Sequence, residues 1–170
     1  KIKLFFLAIF MISCDINGPG NSEEIIGLDM TIEATSFVEW KYYRFIDDSL
    51  QSVAFYFGAE PENSLEWDIA FQRNHIRTNS GTSGIGNAGA YVDSVSTWSI
   101  NLFNNCCDYD VSEYTFYPDT LINIFYNISD HTYQEGSTNT ALESWAAIDT
   151  LNNYTMNISN NQFIVKDAND

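Results

Sequence analysis

Apolar residues recur along this chain in short runs of five to nine positions, over 26–34, 38–46, 52–58, 66–72, 95–103, 121–128, 153–158 and 162–166. Each run is bounded by Gly, Pro, Asn, Asp or Ser, the residues that end strands and open turns. Short, regularly spaced runs of this kind predict an all-β domain. One stretch differs. In TNTALESWAAIDTL, 138–151, Leu142, Trp145 and Ile148 are spaced by three, with Thr138 or Thr140 available as an N-cap ahead of Glu143, which predicts one short helix near 138–150.

Composition strengthens the β reading. Ten Tyr, twelve Phe and four Trp make up 15% of the chain, while Lys and Arg number only seven. Aromatic residues favour strands. The 170 residues suffice for one domain with its own core. No internal repeat, heptad or low-complexity tract interrupts them.

The N-terminus has a different character. Lys1 and Lys3 precede an apolar run of nine residues, 4–12, too short to span a bilayer about 30 Å thick. It reads as a secretory signal peptide. Ser13-Cys14 directly after that run resembles the lipobox of bacterial lipoproteins, although Met11 stands where Leu is usual. That resemblance implies a signal peptide over 1–13, lipid on Cys14, and a Gly- and Pro-containing tether over 14–25 ahead of a β domain over 26–170. The alternative is an ordinary cleaved signal with a chance cysteine. Without Lys1 and Lys3, five basic residues face 23 acidic ones. Such a surface repels phosphate backbones and anionic headgroups, which excludes nucleic acid as a partner and leaves lipid attachment as the route to a membrane. Cys106 and Cys107 are adjacent, where a mutual bridge strains the backbone, and lack CxxC or His partner spacing for a metal; they read as two thiols, with a vicinal disulfide or a metal site as the alternatives. The glycosylation sequons at Asn127, Asn153 and Asn157 would matter only in a eukaryotic secretory pathway.

Gly84, Gly86 and Gly89 reproduce the G-x-G-x-x-G spacing of dinucleotide-binding folds. That fingerprint requires a helix to start at the glycines, because the free N–H groups of the helix end hold the pyrophosphate. Here Gly89 leads into AYVDSVSTWSI, a β-branched and aromatic stretch. The glycines therefore read as a turn, with positive φ or close backbone approach at 81, 84, 86 and 89, after a strand over 66–72 and an extended stretch His75–Thr78. Asp68, inside an apolar strand, requires a partner, for which Arg73 and Arg77 are the candidates.

The stretch from Trp67-Asp-Ile-Ala-Phe-Gln-Arg73 through Arg77-Thr-Asn79 to Ser83-Gly-Ile-Gly-Asn-Ala-Gly89-Ala90 resembles the central signature of the HmuY-like family of haem-binding lipoproteins. The match covers 24 residues, with weaker likeness at Glu39–Tyr43 and Val53–Phe57 upstream and at Gln162–Asp170 downstream. Further family elements, a Lys-rich Tyr-x-Lys-Leu and a Ser-Tyr-Tyr, do not occur, so the resemblance implies truncation at the C-terminus and an unpaired β edge.

The resemblance implies a hand-like antiparallel fold in which two projecting fingers clamp a haem between axial His or Met ligands. The candidates are few: His75, His131, Met30 and Met156. His75 sits within the signature and reads as a strand or turn histidine. His131, in a polar loop after an apolar run, is the expected first ligand. Met156 is the expected second ligand, with Tyr154 as its alternative. The implied setting is the outer membrane or surface of a Gram-negative bacterium, with haem passed on to an outer-membrane transporter. A second reading is a binding module of the same fold recognising a glycan or a protein partner through Trp98, Tyr109, Tyr114 and Tyr117. Catalysis is not expected. No nucleophile stands in a G-x-S-x-G context, no H-E-x-x-H occurs, and two histidines offer little acid–base machinery. Asp108, Asp110, Glu113 and Asp119 do not follow EF-hand spacing and read as a solvated acidic loop.

Overall fold

The computed structural model describes residues 31–46, 49–93, 114–127, 129–149, 151–152 and 155–169. The strands among them are β1 (Lys41–Ile46), β2 (Ser49–Val53), β3 (Ile69–Gln72), β4 (His75–Thr78), β5 (Gly89–Asp93), β6 (Thr120–Asn127), β7 (Thr132–Thr138), β8 (Ala146–Asp149), β9 (Thr155–Ile158) and β10 (Gln162–Lys166). All their pairings are antiparallel. Four strands form one sheet in the order β2-β1-β3-β4, and β5 with β10, β6 with β7 and β8 with β9 form two-stranded ladders. The fold is mainly β, as the run pattern predicts.

The core follows the apolar runs. Ile69, Phe71 and Ile76 of β3 and β4 are buried together with Ala90, Leu142, Trp145 and Phe163. All four residues of β3 are buried, as expected of a strand covered on both faces. Ile32 and Ala34 also reach this core. The strand expected over 26–34 forms no ladder in its described part; its alternate residues point inward, and the Ala34 carbonyl accepts the Arg73 N–H at 2.6 Å.

Asp68 is buried, but neither expected arginine is its partner. Its two oxygens accept backbone N–H groups, from Phe45 at 2.8 Å and from Ala168 at 2.8 Å. These bonds offset part of the burial that pushes its carboxyl above the usual range. The arginines pack on aromatic rings. The Arg77 guanidinium lies 4.2 Å over Trp40 and bonds to the Tyr42 hydroxyl, and that of Arg73 lies 3.5 Å over Phe37.

No helix opens at the glycine-rich loop. β5 begins at Gly89 and pairs antiparallel with β10. Asn79, fully buried, sends its amide N–H groups to the carbonyls of Ser64 and Trp67 and accepts the Gly86 N–H. A Cβ at Gly84 would lie 1.9 Å from the Asn79 amide oxygen, so close approach is what that glycine supplies. Positive φ occurs in the loop only at Gly81.

The helix expected near 138–150 contracts to one 3-10 turn, Leu142–Trp145. Three residues per turn bring Leu142 and Trp145 to the same face, and both are buried. No threonine caps it: the N-cap position is Ala141, and Asn139 just ahead of it accepts the N–H groups of Ala141 and Leu142. From Ala146 the backbone is extended and pairs with β9, which places Ile148 opposite Met156. Strand β7 goes unpredicted because TYQEGST carries almost no apolar residue; its partner β6 supplies them. The 52–58 run also shifts: β2 is Ser49–Val53, and Tyr56 and Phe57 lie exposed beyond it.

Asp119 is not solvated. It is 1% exposed, accepts the Thr78 N–H, the Thr78 hydroxyl and the Asn139 amide, and burial pushes its carboxyl up to about 6. Its expected neighbours Asp108, Asp110 and Glu113 lie outside the described residues, as do Cys14, Met30, Trp98, the 95–103 run, Cys106, Cys107, Tyr109 and Tyr154.

Candidate functional site

Two hairpins share one cleft with the β3–β4 turn. In the first, β6–β7, the connection is shaped by its own side chains: Asn127 Oδ1 accepts the Ser129 N–H, and Asp130 Oδ1 accepts both the N–H and the hydroxyl of Thr132. His131 sits at the end of this turn with φ +57°. In the second, β8–β9, Asp149 Oδ1 accepts the N–H groups of Leu151 and Asn152. Met156 on β9 packs against the edge of the core.

A cleft of about 1000 Å³ opens between them. That is the upper end of the usual size for ligand sites, about 300–1000 Å³. The first hairpin contributes Ile124, Phe125, Tyr126, His131 and Tyr133; the second contributes Ile148 and Met156. Arg73 of the β3–β4 turn and His75, which opens β4, line the remaining wall with Phe37 and Ala34. Strict alternation would send Ile124 and Phe125 to opposite faces. The pairing register slips between Asn123 and Phe125, and this bulge re-aims the strand so that both line the cleft. Gly136 on β7 makes room for the result, since a Cβ there would lie 2.4 Å from the Phe125 ring.

The cleft thus brings together two of the residues the sequence singles out. His131 is exposed, and its Nδ1 lies 2.6 Å from the Tyr126 hydroxyl. In the tautomer with Nδ1–H donating to that oxygen, Nε2 presents a free lone pair, the arrangement typical of a metal-ligating imidazole. Met156 is half-buried, with a soft thioether suited to iron. Tyr154, the alternative ligand, falls outside the described residues.

His75 is the first residue of β4, as its place in the signature suggests, yet it also lines the cleft. Its Nδ1 lies 3.1 Å from Glu143 Oε2, and its ring lies 4.2 Å from that of Phe125. Glu143 also accepts the Ile76 N–H and the Thr138 hydroxyl, so this histidine is fixed by a fully engaged carboxylate. Arg73, Phe37, Tyr126 and Tyr133 escape sequence reasoning as site residues. The available signal for the tyrosines was their flanking of His131; for Arg73 there was none, because the β3–β4 turn gives no sign of facing a cleft.

Tyr114 and Tyr117 do not line the cleft. The Tyr114 ring packs 4.6 Å from that of Tyr91, and Tyr117 bridges to Ala90. A smaller cavity of about 330 Å³ is lined by Gly81 and Gly86 of the glycine-rich loop and by Lys166 of β10.

The family model described as HmuY protein matches residues 36–170. Among solved structures, the chain resembles one from Bacteroides vulgatus ATCC 8482 described as an HmuY-like heme binding protein, at 24% identity and a TM-score of 0.53, covering 79% of this chain and 72% of that one. It also resembles one from Bacteroides fragilis NCTC 9343 described as a lipoprotein, at 20% identity and a TM-score of 0.52, covering 80% of this chain and 70% of that one. At these identities the likeness is one of fold. Among curated protein sequences nothing matches the chain.

Proposed function

This chain belongs to the HmuY family, whose members are binding proteins rather than enzymes, and on that footing we propose that it captures haem in the cleft between its two hairpins. His131 and Met156 are the axial ligands, with Tyr154 the alternative to Met156. The observation that carries this reading is that His131 and Met156, on separate hairpins, line one aromatic-walled cleft. A planar apolar ligand would bury its faces against Phe125, Tyr126, Tyr133 and Ile148 while its iron meets the imidazole and the thioether.

The protein acts as a lipid-anchored surface haemophore that hands haem to an outer-membrane transporter, with a signal peptide over 1–13 and acylation at Cys14. The lipobox-like Ser13-Cys14 and the lipoprotein description of the B. fragilis neighbour support that setting.

Absorbance titration tests the ligand assignment. Ferric and ferrous haem are each expected to give a saturable Soret shift, weakened at least tenfold by His131→Ala. Met156→Ala is expected to weaken ferrous haem more than ferric, because the soft thioether favours the reduced metal. Tyr154→Phe should leave both unchanged if Met156 ligates. Absence of a saturable shift in the unaltered protein, joined to binding of a glycan that Tyr117→Ala abolishes, would favour the alternative of a non-haem binding module.

A further inference from the structure

The described lining of the cleft is opposite in charge to the chain. The formal net charge is −16, with 23 Asp and Glu, yet no Asp or Glu is among the described residues that line the cleft. Its one Lys or Arg is Arg73. This guanidinium makes no ion pair among the described residues; the one contact there within ion-pair distance is that of His75 with Glu143. It rests on the Phe37 ring, half-buried, at 3.5 Å. A cation held partly out of water, with no counter-charge among the described residues, is ready for an anionic group from outside.

The backbone supports this independently. Among the described residues only two non-glycine residues have positive φ, Arg73 at +54° and His131 at +57°. Both line this cleft. Gln72 pairs with His75, so Arg73 and Asn74 form a two-residue hairpin turn, with the positive φ at its first central position. That position favours glycine. A bulky residue there is strained, and such strain clusters at ligand clamps.

We propose that Arg73 is the carboxylate anchor of the cleft. It pairs with a propionate on the edge of haem, so that the cleft selects porphyrins carrying a free carboxylate. The proposal rests on the haem reading above and adds to it a determinant of specificity separate from the iron ligands.

The full chain is titrated with ferric protoporphyrin IX and with its dimethyl ester. Arg73→Gln, Arg73→Lys and Arg73→Gly follow, with thermal melting of each. The unaltered protein should bind the free acid at least tenfold more tightly than the ester. Arg73→Gln and Arg73→Gly should bind both forms equally, at the affinity of the ester, and keep the unaltered Soret band, since the iron ligands are untouched. Arg73→Lys should retain part of the preference. Arg73→Gly should melt no lower than the unaltered protein, because glycine relaxes the turn, which separates loss of the anchor from loss of the fold. A Soret shift of equal affinity for acid and ester in the unaltered protein, or an Arg73→Gln variant that keeps the preference, overturns the anchor and leaves haem capture standing. No Soret shift with either porphyrin overturns both.

Discussion

At the scale of single residues, the buried acids carry a pH signature. The Asp119 carboxyl, pushed up to about 6, takes up a proton in the folded state at a pH where the unfolded chain, with Asp near its ordinary 3.8, remains ionised. The native state then binds more protons than the unfolded state, so stability increases as pH falls from about 7 to about 4 and gains nothing further from this group below that. The gain is at most about 3 kcal/mol for a gap of about two units. Melting temperature measured from pH 7.5 to 4.5 should rise on acidification. Asp119→Asn should remove most of that slope and itself cost on the order of 1–3 kcal/mol, because an amide N–H would face the donors on Thr78 and Asn139. The sequence told that Asp68 required partners. It did not tell which: Phe45 and Ala168 contribute backbone N–H groups from 23 and 100 positions away. Nothing in residue type marks an amide as the partner of a distant carboxylate, whereas Arg73 and Arg77 lay close by in sequence and carried the right charge.

Among the elements, strands that bury apolar residues on their own account were legible, and those that borrow their core from a partner were not. QFIVK over 162–166 is β10 to the residue, while β7 exists because β6 lies beside it. The 138–151 stretch misled because a three-residue spacing serves a 3-10 turn as well as a helix, and the ladder with β9 takes over at Ala146. Two substitutions test how the hairpins are seated. Gly136→Ala should displace the Phe125 ring, destabilise the protein by about 1–3 kcal/mol and weaken haem binding, both measurable on one purified variant. Glu143→Ala should cost on the order of 2–4 kcal/mol by chemical denaturation, since it strips the Ile76 N–H, the Thr138 hydroxyl and the His75 ring of their shared acceptor.

For the whole molecule, the antiparallel β class and the family were readable from the run pattern and from the Trp67–Ala90 signature. The cleft was not, because it belongs to no single stretch. Its walls come from residues as far apart in sequence as Ile32 and Met156, and only folding brings them together. His131 and Met156 stand out in a chain with so few candidate ligands, and both line the cleft. The proposed function requires one haem between the two hairpins, held from both. Titration of the unaltered protein with haem, beside a His131→Ala/Met156→Ala double variant of equal melting temperature, tests it most directly. A saturable one-to-one Soret shift is expected in the former and its loss in the latter; an identical shift in both proteins would rule out haem held by these two ligands.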